Sequence, residues 1–284
     1  MRLITKQVPD SFNLFLFGDT HEGSILFYKH GFYKFVNAVC SEFEGVKENY
    51  AIHHGDTVEA ITVDDRRFDL ETLGMDCIRP LEQADSHIER LRPIRDKIVC
   101  LLQGNHEYTL NKFGDISGYI CNKLDLEYGT YAAKITFIDA DGSTIFKHFC
   151  THGRKGIGSI AGPPKRRLTN MLISLQNHLQ FKAGDCITLS KGHTHKLLVY
   201  KPDPQLYLTD NGTEITQNYT EPDPTADYIP PDFRYYINTG SFLKLYGDGV
   251  SGYAERAEYD PVELGYAVVM VRDRQIEDVR RIVV

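Results

Sequence analysis

The sequence predicts an α/β fold, and two observations carry that prediction. In the first half of the 284-residue chain, short apolar runs that end in polar clusters alternate with stretches of helical periodicity. Beyond residue 128, strand-like segments follow one another more closely, which predicts that a second sheet begins there. The length allows one large domain or two small ones, and either can bury a full core.

The first half contains three successive units of a strand, a polar turn and a helix. Strands are predicted at 13–17, 50–54 and 97–102, and the helices that follow them at 28–43, 70–91 and, more weakly, 116–124. In the second of these helices, apolar residues recur at helical spacing from Leu70 through Cys77 to Leu91, just before Pro93. We expect this helix to be long and amphipathic.

The second half is predicted to be rich in strands. Segments 130–138 and 144–150 are joined by Asp139-Ala140-Asp141-Gly142, a sequence typical of a hairpin connection. A helix is predicted at 168–181, and further strands at 186–189, 197–200, 234–237, 266–271 and 279–284. Residues 202–232 are dense in proline, aspartate, asparagine and threonine, so we interpret them as a loop or flap excursion from the domain.

Composition narrows the functional classes. The 32 basic and 39 acidic side chains give a net charge of −7, so no global positive field exists to collect nucleic acid. No apolar stretch approaches the 20 residues or so of a membrane span, and no signal-peptide pattern begins the chain. The 6 cysteines are scattered and form no CxxC pair, which favours a reducing compartment. We expect a soluble, cytoplasmic protein without a membrane partner.

Polar clusters follow five of the apolar runs. In chain order they are Asp19-Thr20-His21, Gly55-Asp56, Gly104-Asn105-His106-Glu107, Thr151-His152-Gly153 and Gly192-His193-Thr194-His195. Residues just past the carboxyl ends of strands in an open α/β sheet meet along one edge, so clusters distant in sequence can line one cleft. Carboxylate, amide and imidazole groups together suit hard-to-borderline divalent metals. The sequence therefore predicts a metal site that draws on all five clusters.

The spacing within two clusters adds to this expectation. Asp19 and His21 are separated by one residue, as are His193 and His195. Alternate residues of an extended segment share a face, so each pair is expected to point the same way and to supply adjacent metal ions.

This ordered set of motifs resembles the calcineurin-like metallophosphoesterase superfamily. The matching order is Asp-x-His, Gly-Asp, Gly-Asn-His-Glu, His and Gly-His-x-His, which spans residues 14–196, and Asn238-Thr239-Gly240-Ser241 resembles the loop that often closes the fold. The resemblance implies a single domain over residues 1–284. It also implies two packed mixed β-sheets flanked by helices, a four-layer αββα sandwich.

The resemblance also implies a binuclear metal site and assigns its ligands by position. One divalent ion would be held by Asp19, His21, Asp56 and His195, and the other by Asp56, Asn105, His152 and His193. Asp56 would bridge the two ions, and His106 would lie outside their ligands as the catalytic residue beside the phosphate. Manganese is the first choice of metal, with iron, zinc, nickel and magnesium as alternatives.

Several further residues are candidates for supporting roles. Glu107 and Glu59 could hold histidines or bound water behind the ligands, although the family often carries Asp where Glu59 stands. Arg154, Lys155 and Tyr108 directly follow presumed ligands and are candidates for contact with the substrate. The remaining histidines are expected to be ordinary core or surface residues: His30, His53, His54, His87, His148 and His178.

The implied function is metal-dependent hydrolysis of a phosphoester by water activated between two ions. We favour a phosphodiester, which makes nucleic acid or a nucleotide the candidate partner and a nuclease or nucleotide phosphodiesterase the candidate activity. A phosphomonoesterase that acts on proteins or small molecules is the alternative, and a non-catalytic metal-binding module a more distant one. The sequence leaves the oligomeric state open.

Overall fold

The computed structural model describes residues 1–63, 65, 68, 70–74, 79–112 and 114–284, and within them two mixed sheets are flanked by helices. The strands are β1 (Arg2–Gln7), β2 (Phe12–Phe17), β3 (Asn49–His53), β4 (Ile98–Leu101), β5 (Ala132–Ile138), β6 (Thr144–Thr151), β7 (Thr188–Lys191), β8 (Leu197–Tyr200), β9 (Leu206–Asp210), β10 (Ile215–Tyr219), β11 (Tyr235–Thr239), β12 (Gly265–Arg272) and β13 (Gln275–Val283). The helices are α1 (Lys29–Cys40), α2 (Pro80–Leu91), α3 (Asn105–Thr109), α4 (Ile116–Leu124), α5 (Pro164–Leu179) and α6 (Tyr253–Arg256).

The strand order sets the carboxyl ends of several strands side by side. One sheet has the order β13-β12-β2-β3-β4, in which β2, β3 and β4 run parallel. The other has the order β1-β5-β6-β7-β11-β8, in which β6, β7 and β11 run parallel. Loops that leave these parallel strands can therefore meet at one edge of each sheet.

Three clusters of buried apolar side chains account for the packing. The first joins α1, α2 and α4 to one face of the five-stranded sheet, with Phe35 and Ile88 among its members. The second joins residues of both sheets, such as Leu14 of β2 and Ile135 of β5. The third lies under α5 and includes Leu175 and Leu189. Each cluster removes apolar surface from water, which is the main stabilising term of such a fold.

The α/β prediction is confirmed at the level of class and of most elements. The three strands predicted in the first half are β2, β3 and β4, which lie side by side in that order. The hairpin predicted across 130–150 is the antiparallel pair β5 and β6. Alternating burial along β5 matches the period of 2 that identifies a half-buried strand.

The single long helix predicted at 70–91 is wrong. A short 3-10 helix covers Leu70–Thr72, and the α-helix begins only at Pro80. Between them, Leu73 bridges Ser24 and the Gly74 amide donates to the Gly23 carbonyl, so the backbone leaves helical geometry there. Proline is favoured in the first turn of a helix, where its missing amide hydrogen is not needed. Pro80 therefore marks the start of α2. Cys77, part of the predicted apolar series, lies outside the described residues.

Two strand pairs were not predicted. Strand β1 pairs in parallel with β5 at an edge, and none of its residues is fully buried, so it carries no apolar pattern. Within the predicted excursion 202–232, β9 and β10 form a separate two-stranded hairpin whose residues are almost all exposed. These strands pair with each other and not with a buried sheet, so apolar residues such as Leu206 and Ile215 stay exposed.

No helix among the described residues combines the length and the apolar character needed to cross a membrane.

The cysteines within the described ranges are all unpaired, and Cys100, Cys121, Cys150 and Cys186 are buried while Cys40 is exposed. These thiols pack as small apolar side chains.

An ion pair fixes the loop after β2 against α2. The buried Glu22 carboxylate accepts from Arg90 Nε at 2.7 Å and from Ser86 Oγ at 2.9 Å. Burial by itself raises the pKa of Glu22, but contacts with His87 and Arg90 outweigh it and lower the pKa from 4.5 to about 2. The ionised form is therefore stabilised by folding.

We predict a pH-dependent stability that Glu22→Gln removes. Because the folded pKa is lower than the unfolded one, the contribution is complete above pH 4.5 and disappears as the pH falls towards 2. Urea unfolding should show the variant about 3 kcal/mol less stable at neutral pH, with the difference shrinking below about pH 4.5. Glu89→Gln, in an exposed pair on the same helix, is the control and should show no comparable loss. A deficit for Glu22→Gln that is independent of pH would contradict this explanation.

Candidate metal centre

Five loops from the two sheets converge at one place. Asp19 and His21 follow β2, Asp56 follows β3, and Asn105 and His106 open α3 after β4. From the other sheet, His152 follows β6, and the pair His193 and His195 follows β7. The structure thus brings together all seven side chains that the sequence analysis proposed as metal ligands: Asp19, His21, Asp56, Asn105, His152, His193 and His195.

The first group of donors consists of Asp19, His21 and His195, whose ligand atoms lie within 4.8 Å of one another. His21 Nε2 is 3.2 Å from His195 Nε2, which in turn is 3.5 Å from Asp19 Oδ1. All three residues are buried. Two imidazole nitrogens and a carboxylate oxygen at these separations can converge on one divalent ion.

The second group consists of Asp56, His152 and His193, again with ligand atoms within 4.8 Å of one another. Asn105 Oδ1 lies among them, 2.9 Å from His152 Nε2 and 2.6 Å from His193 Nδ1. The amide oxygen therefore adds a fourth donor to this group.

Asp56 reaches both groups. Its Oδ2 atom is 3.4 Å from His152 Nε2 in the second group and 3.9 Å from His21 Nε2 in the first. Its other oxygen, Oδ1, accepts from the His106 amide at 3.0 Å, which fixes the carboxylate plane. One carboxylate between two groups of imidazoles is the arrangement that a bridging ligand requires.

The backbone at these positions differs from the extended geometry that we expected. Asp19 and His21 have φ of 50° and 51°, and His193 and His195 have φ of 74° and 56°, all in the left-handed region. Each pair lies in left-handed backbone and not on one face of an extended strand, so that part of the argument was wrong. Left-handed backbone in non-glycine residues is strained, and such strain gathers at functional sites.

Close approach of the loops also explains a glycine. A Cβ atom at Gly104 would lie 2.1 Å from Asp56 Oδ1, so only glycine fits directly before Asn105. The loop of Asp19 is joined to that of Asp56 by backbone bonds, because the amides of Thr20 and His21 both donate to the Asp56 carbonyl.

Hydrogen bonds behind the ligands set the histidine tautomers. His152 Nδ1 donates to the His54 carbonyl at 2.7 Å, so its Nε2 faces Asp56 and Asn105. His21 Nδ1 lies 2.8 Å from Glu59 Oε2, which turns His21 Nε2 towards the first group. Metal-binding imidazoles usually carry such a partner on the second nitrogen. Glu59, at the position where the family often has Asp, thus contacts a proposed ligand.

His106 lies beside the donors, where its ring meets that of His21 edge-on with centroids 4.6 Å apart. Its Nδ1 donates to the Glu59 carbonyl at 2.5 Å. His21, Glu59 and His106 form a third group whose ligand atoms fall within 4.8 Å. Because Glu59 already accepts from His21 Nδ1, we interpret this group as the support behind the first donor group.

Burial and neighbouring charges shift the pKa values of several residues in the two donor groups. Burial raises the pKa of Asp19 above its usual value of 3.8. Burial alone would lower the pKa of His152, but the neighbouring Asp56 carboxylate outweighs it and raises the pKa to about 9. His195, buried beside other imidazoles, has its pKa lowered well below the usual 6.5. Metal ligation requires neutral imidazoles, so an ion bound here would displace the proton that the Asp56 carboxylate stabilises on His152.

No model of a known protein family matches this chain, and no curated protein matches it either. The donor set is the observation that bears on function. Buried carboxylate, amide and imidazole groups lie at strand ends in groups that could hold metal ions.

A cavity of about 810 Å³ opens onto the donors, and Asp56, Asn105, His106, His193 and His195 are among its lining residues. Further lining comes from the segment 245–262, including Tyr253 of α6, and was not predicted. Neither periodicity nor a metal-ligand motif marks that segment in the sequence. Among the described residues, no member of the 202–232 excursion lines this cavity.

The other proposed residues lie elsewhere. Tyr108, Arg154 and Lys155 are exposed and are not among the residues that line the cavity, although Gly156 and Ile157 of the same loop are. Glu107 accepts from the Thr57 amide at 2.5 Å and the Gly104 amide at 3.0 Å, so it joins the loops that carry Asp56 and Asn105 and holds no histidine within the described structure.

We predict that Glu59→Gln weakens metal binding at the first donor group. The neutral amide no longer stabilises the His21 imidazole as a ligand, so Mn²⁺ affinity measured by calorimetry should fall by about tenfold or more. Glu42→Gln, at an exposed position, is the control. Unchanged affinity in Glu59→Gln would show that the contact with His21 does not tune a metal site.

Proposed function

We propose that this chain is a metal-dependent hydrolase of phosphoesters, with phosphodiesters as the favoured substrates. The observation that carries the proposal is the pair of adjacent donor groups that share Asp56. Two divalent ions held in such an arrangement would supply a nucleophilic water at neutral pH and positive charge for phosphate oxygens, which is the chemistry that phosphoester hydrolysis uses.

The fold gives independent support. Helices α1, α2 and α4 pack on one sheet, apolar residues of the two sheets pack against each other, and α5 packs on the second sheet. This order of packing is what a four-layer αββα sandwich would produce. Together with the ordered motifs, it supports the resemblance to calcineurin-like metallophosphoesterases, and a single domain over residues 1–284.

The residues present fit two metal ions. Asp19, His21 and His195 would hold one, Asn105, His152 and His193 the other, and Asp56 both. Imidazole nitrogens and hard oxygens in each set suit Mn²⁺, our first choice, and also Fe, Zn, Ni or Mg. Glu59 and the His54 carbonyl would keep His21 and His152 oriented.

Protein groups around the donors would act on the substrate directly. His106 lines the cavity, and its Nδ1–H is held by the Glu59 carbonyl, which fixes the ring orientation. We propose that it stabilises charge on the phosphate or protonates the leaving oxygen. Because the cavity approaches the donors from one side, a phosphate there would meet His106 and the ligand groups together.

Cytoplasmic location is part of the proposal. Buried, unpaired cysteines among the described residues are in keeping with a reducing compartment. The substrate is the partner proposed for this site, and a phosphodiester of a nucleotide or nucleic acid is one candidate for it.

We predict that hydrolysis of bis-p-nitrophenyl phosphate requires Mn²⁺ and stops with excess chelator. Asp56→Asn should remove the donor shared by both groups and abolish turnover.

His106→Ala should retain Mn²⁺ affinity in calorimetry while the rate falls by about 100-fold or more, because it would lose a charge-stabilising or proton-donating group and no ligand.

The outcomes separate the alternatives. Faster hydrolysis of p-nitrophenyl phosphate than of the diester would identify a phosphomonoesterase. Full activity in excess chelator, or loss of Mn²⁺ binding in His106→Ala, would contradict the assigned roles. Metal binding without turnover of either ester would favour a non-catalytic module.

A further inference from the structure

The cavity at the metal centre does not end beside the donors. A second cavity of about 620 Å³ adjoins the first of about 810 Å³, and both are lined by Lys196, Asp260 and Val262. Since Lys196 directly follows the proposed ligand His195, the shared wall begins at the metal centre. Because the two cavities share these three lining residues, we treat them as one groove that extends from the donors towards α5.

The far part of this groove has an apolar floor. Leu197 and Leu198 of β8 are buried beneath it, and Leu168 and Met171 of α5 form its side. Val262 continues the apolar surface back towards the donors.

Charges along the groove balance one another. Its basic side chains are Lys196, Arg167 and Arg281, and its acidic ones beyond the donors are Glu258, Asp260 and Glu263. Arg281 is paired with Glu263 at 2.8 Å, and Lys196 Nζ donates to the Ile157 carbonyl at 2.6 Å. A polynucleotide gains most of its affinity from unopposed Lys and Arg contacts to phosphates. This groove does not provide such a surface.

We infer that the groove binds the organic group of the substrate, and that the substrate is a phosphodiester whose non-leaving substituent is large and apolar. The inference rests on the proposed function and narrows its substrate class. The volume of the second cavity supports it, because about 620 Å³ falls within the roughly 300–1,000 Å³ that pockets for organic ligands commonly span. Continuity with the metal centre places that substituent next to the scissile phosphate.

The direct test compares ligands that differ only in the apolar group. On Mn²⁺-loaded protein, calorimetry with n-hexylphosphonate and methylphosphonate, which cannot be hydrolysed, should show the hexyl compound binding at least about tenfold more tightly. For turnover, kcat/KM of n-hexyl p-nitrophenyl phosphate should exceed that of the methyl ester by a similar factor, since both share a leaving group and a single charge.

Leu168→Gln tests the assigned surface. It should reduce the hexyl-to-methyl binding ratio by roughly threefold or more, because it places an amide where the alkyl chain would lie. Ile173→Gln is the matched control: Ile173 is on the same helix with 45% exposure and does not line the groove, so the ratio should not change.

The two proposals fail in different ways. A binding ratio near one, or a ratio unaffected by Leu168→Gln, would overturn the substrate inference while leaving hydrolysis intact. Tighter binding of an oligothymidylate than of hexylphosphonate would also overturn it, in favour of a nucleic acid. If neither diester is hydrolysed, the proposed function fails, and the phosphonate ratio still decides what the groove binds.

Discussion

The structure depends on one constraint, which is that carboxylates and imidazoles from both sheets are buried together where the strands end. Asp19, Asp56, His21 and His152 are all inaccessible to solvent or nearly so. Charges removed from water are costly unless opposite charge compensates them, and here the pKa values of carboxylates and histidines shift in response. Divalent cations would compensate the carboxylates while using the neutral imidazoles as ligands. The arrangement could therefore hold metal ions.

Backbone geometry and hydrogen bonds hold this costly arrangement in place. The left-handed conformations at Asp19, His21 and Asp56 would relax if the loops were independent. They are not, because the Asp19 carbonyl accepts from Ser241 Oγ and from the Phe242 amide, in the loop that follows β11. The centre is thus tied to the loop after β11 as well as to the strand ends that carry its residues. A ligand set fixed in this way can bind ions without large rearrangement.

A structural feature could be predicted from the sequence only where it produces a local pattern of residues. Buried strands and their end motifs are local, so β2, β3, β4 and the residues brought together after them were predictable. Edge strand β1 and the exposed β9–β10 hairpin bury little, so no buried face identifies them as strands. The start of α2 was predicted too early because apolar residues keep helical spacing before Pro80. The backbone groups of Thr72 and Gly74 instead form hydrogen bonds with Ile25 and Gly23. The groove wall at 245–262 is set by tertiary contacts, which no single-sequence pattern records.

The measurement that tests the metal centre most directly is anomalous scattering from crystals grown with Mn²⁺. The account predicts two peaks about 3.5–4 Å apart, one contacted by Asp19, His21 and His195, the other by Asn105, His152 and His193, with Asp56 touching both. A single peak, or one centred on His21, Glu59 and His106, would contradict the bridging role of Asp56. Crystals that bind no Mn²⁺ among these residues would contradict the metal centre itself.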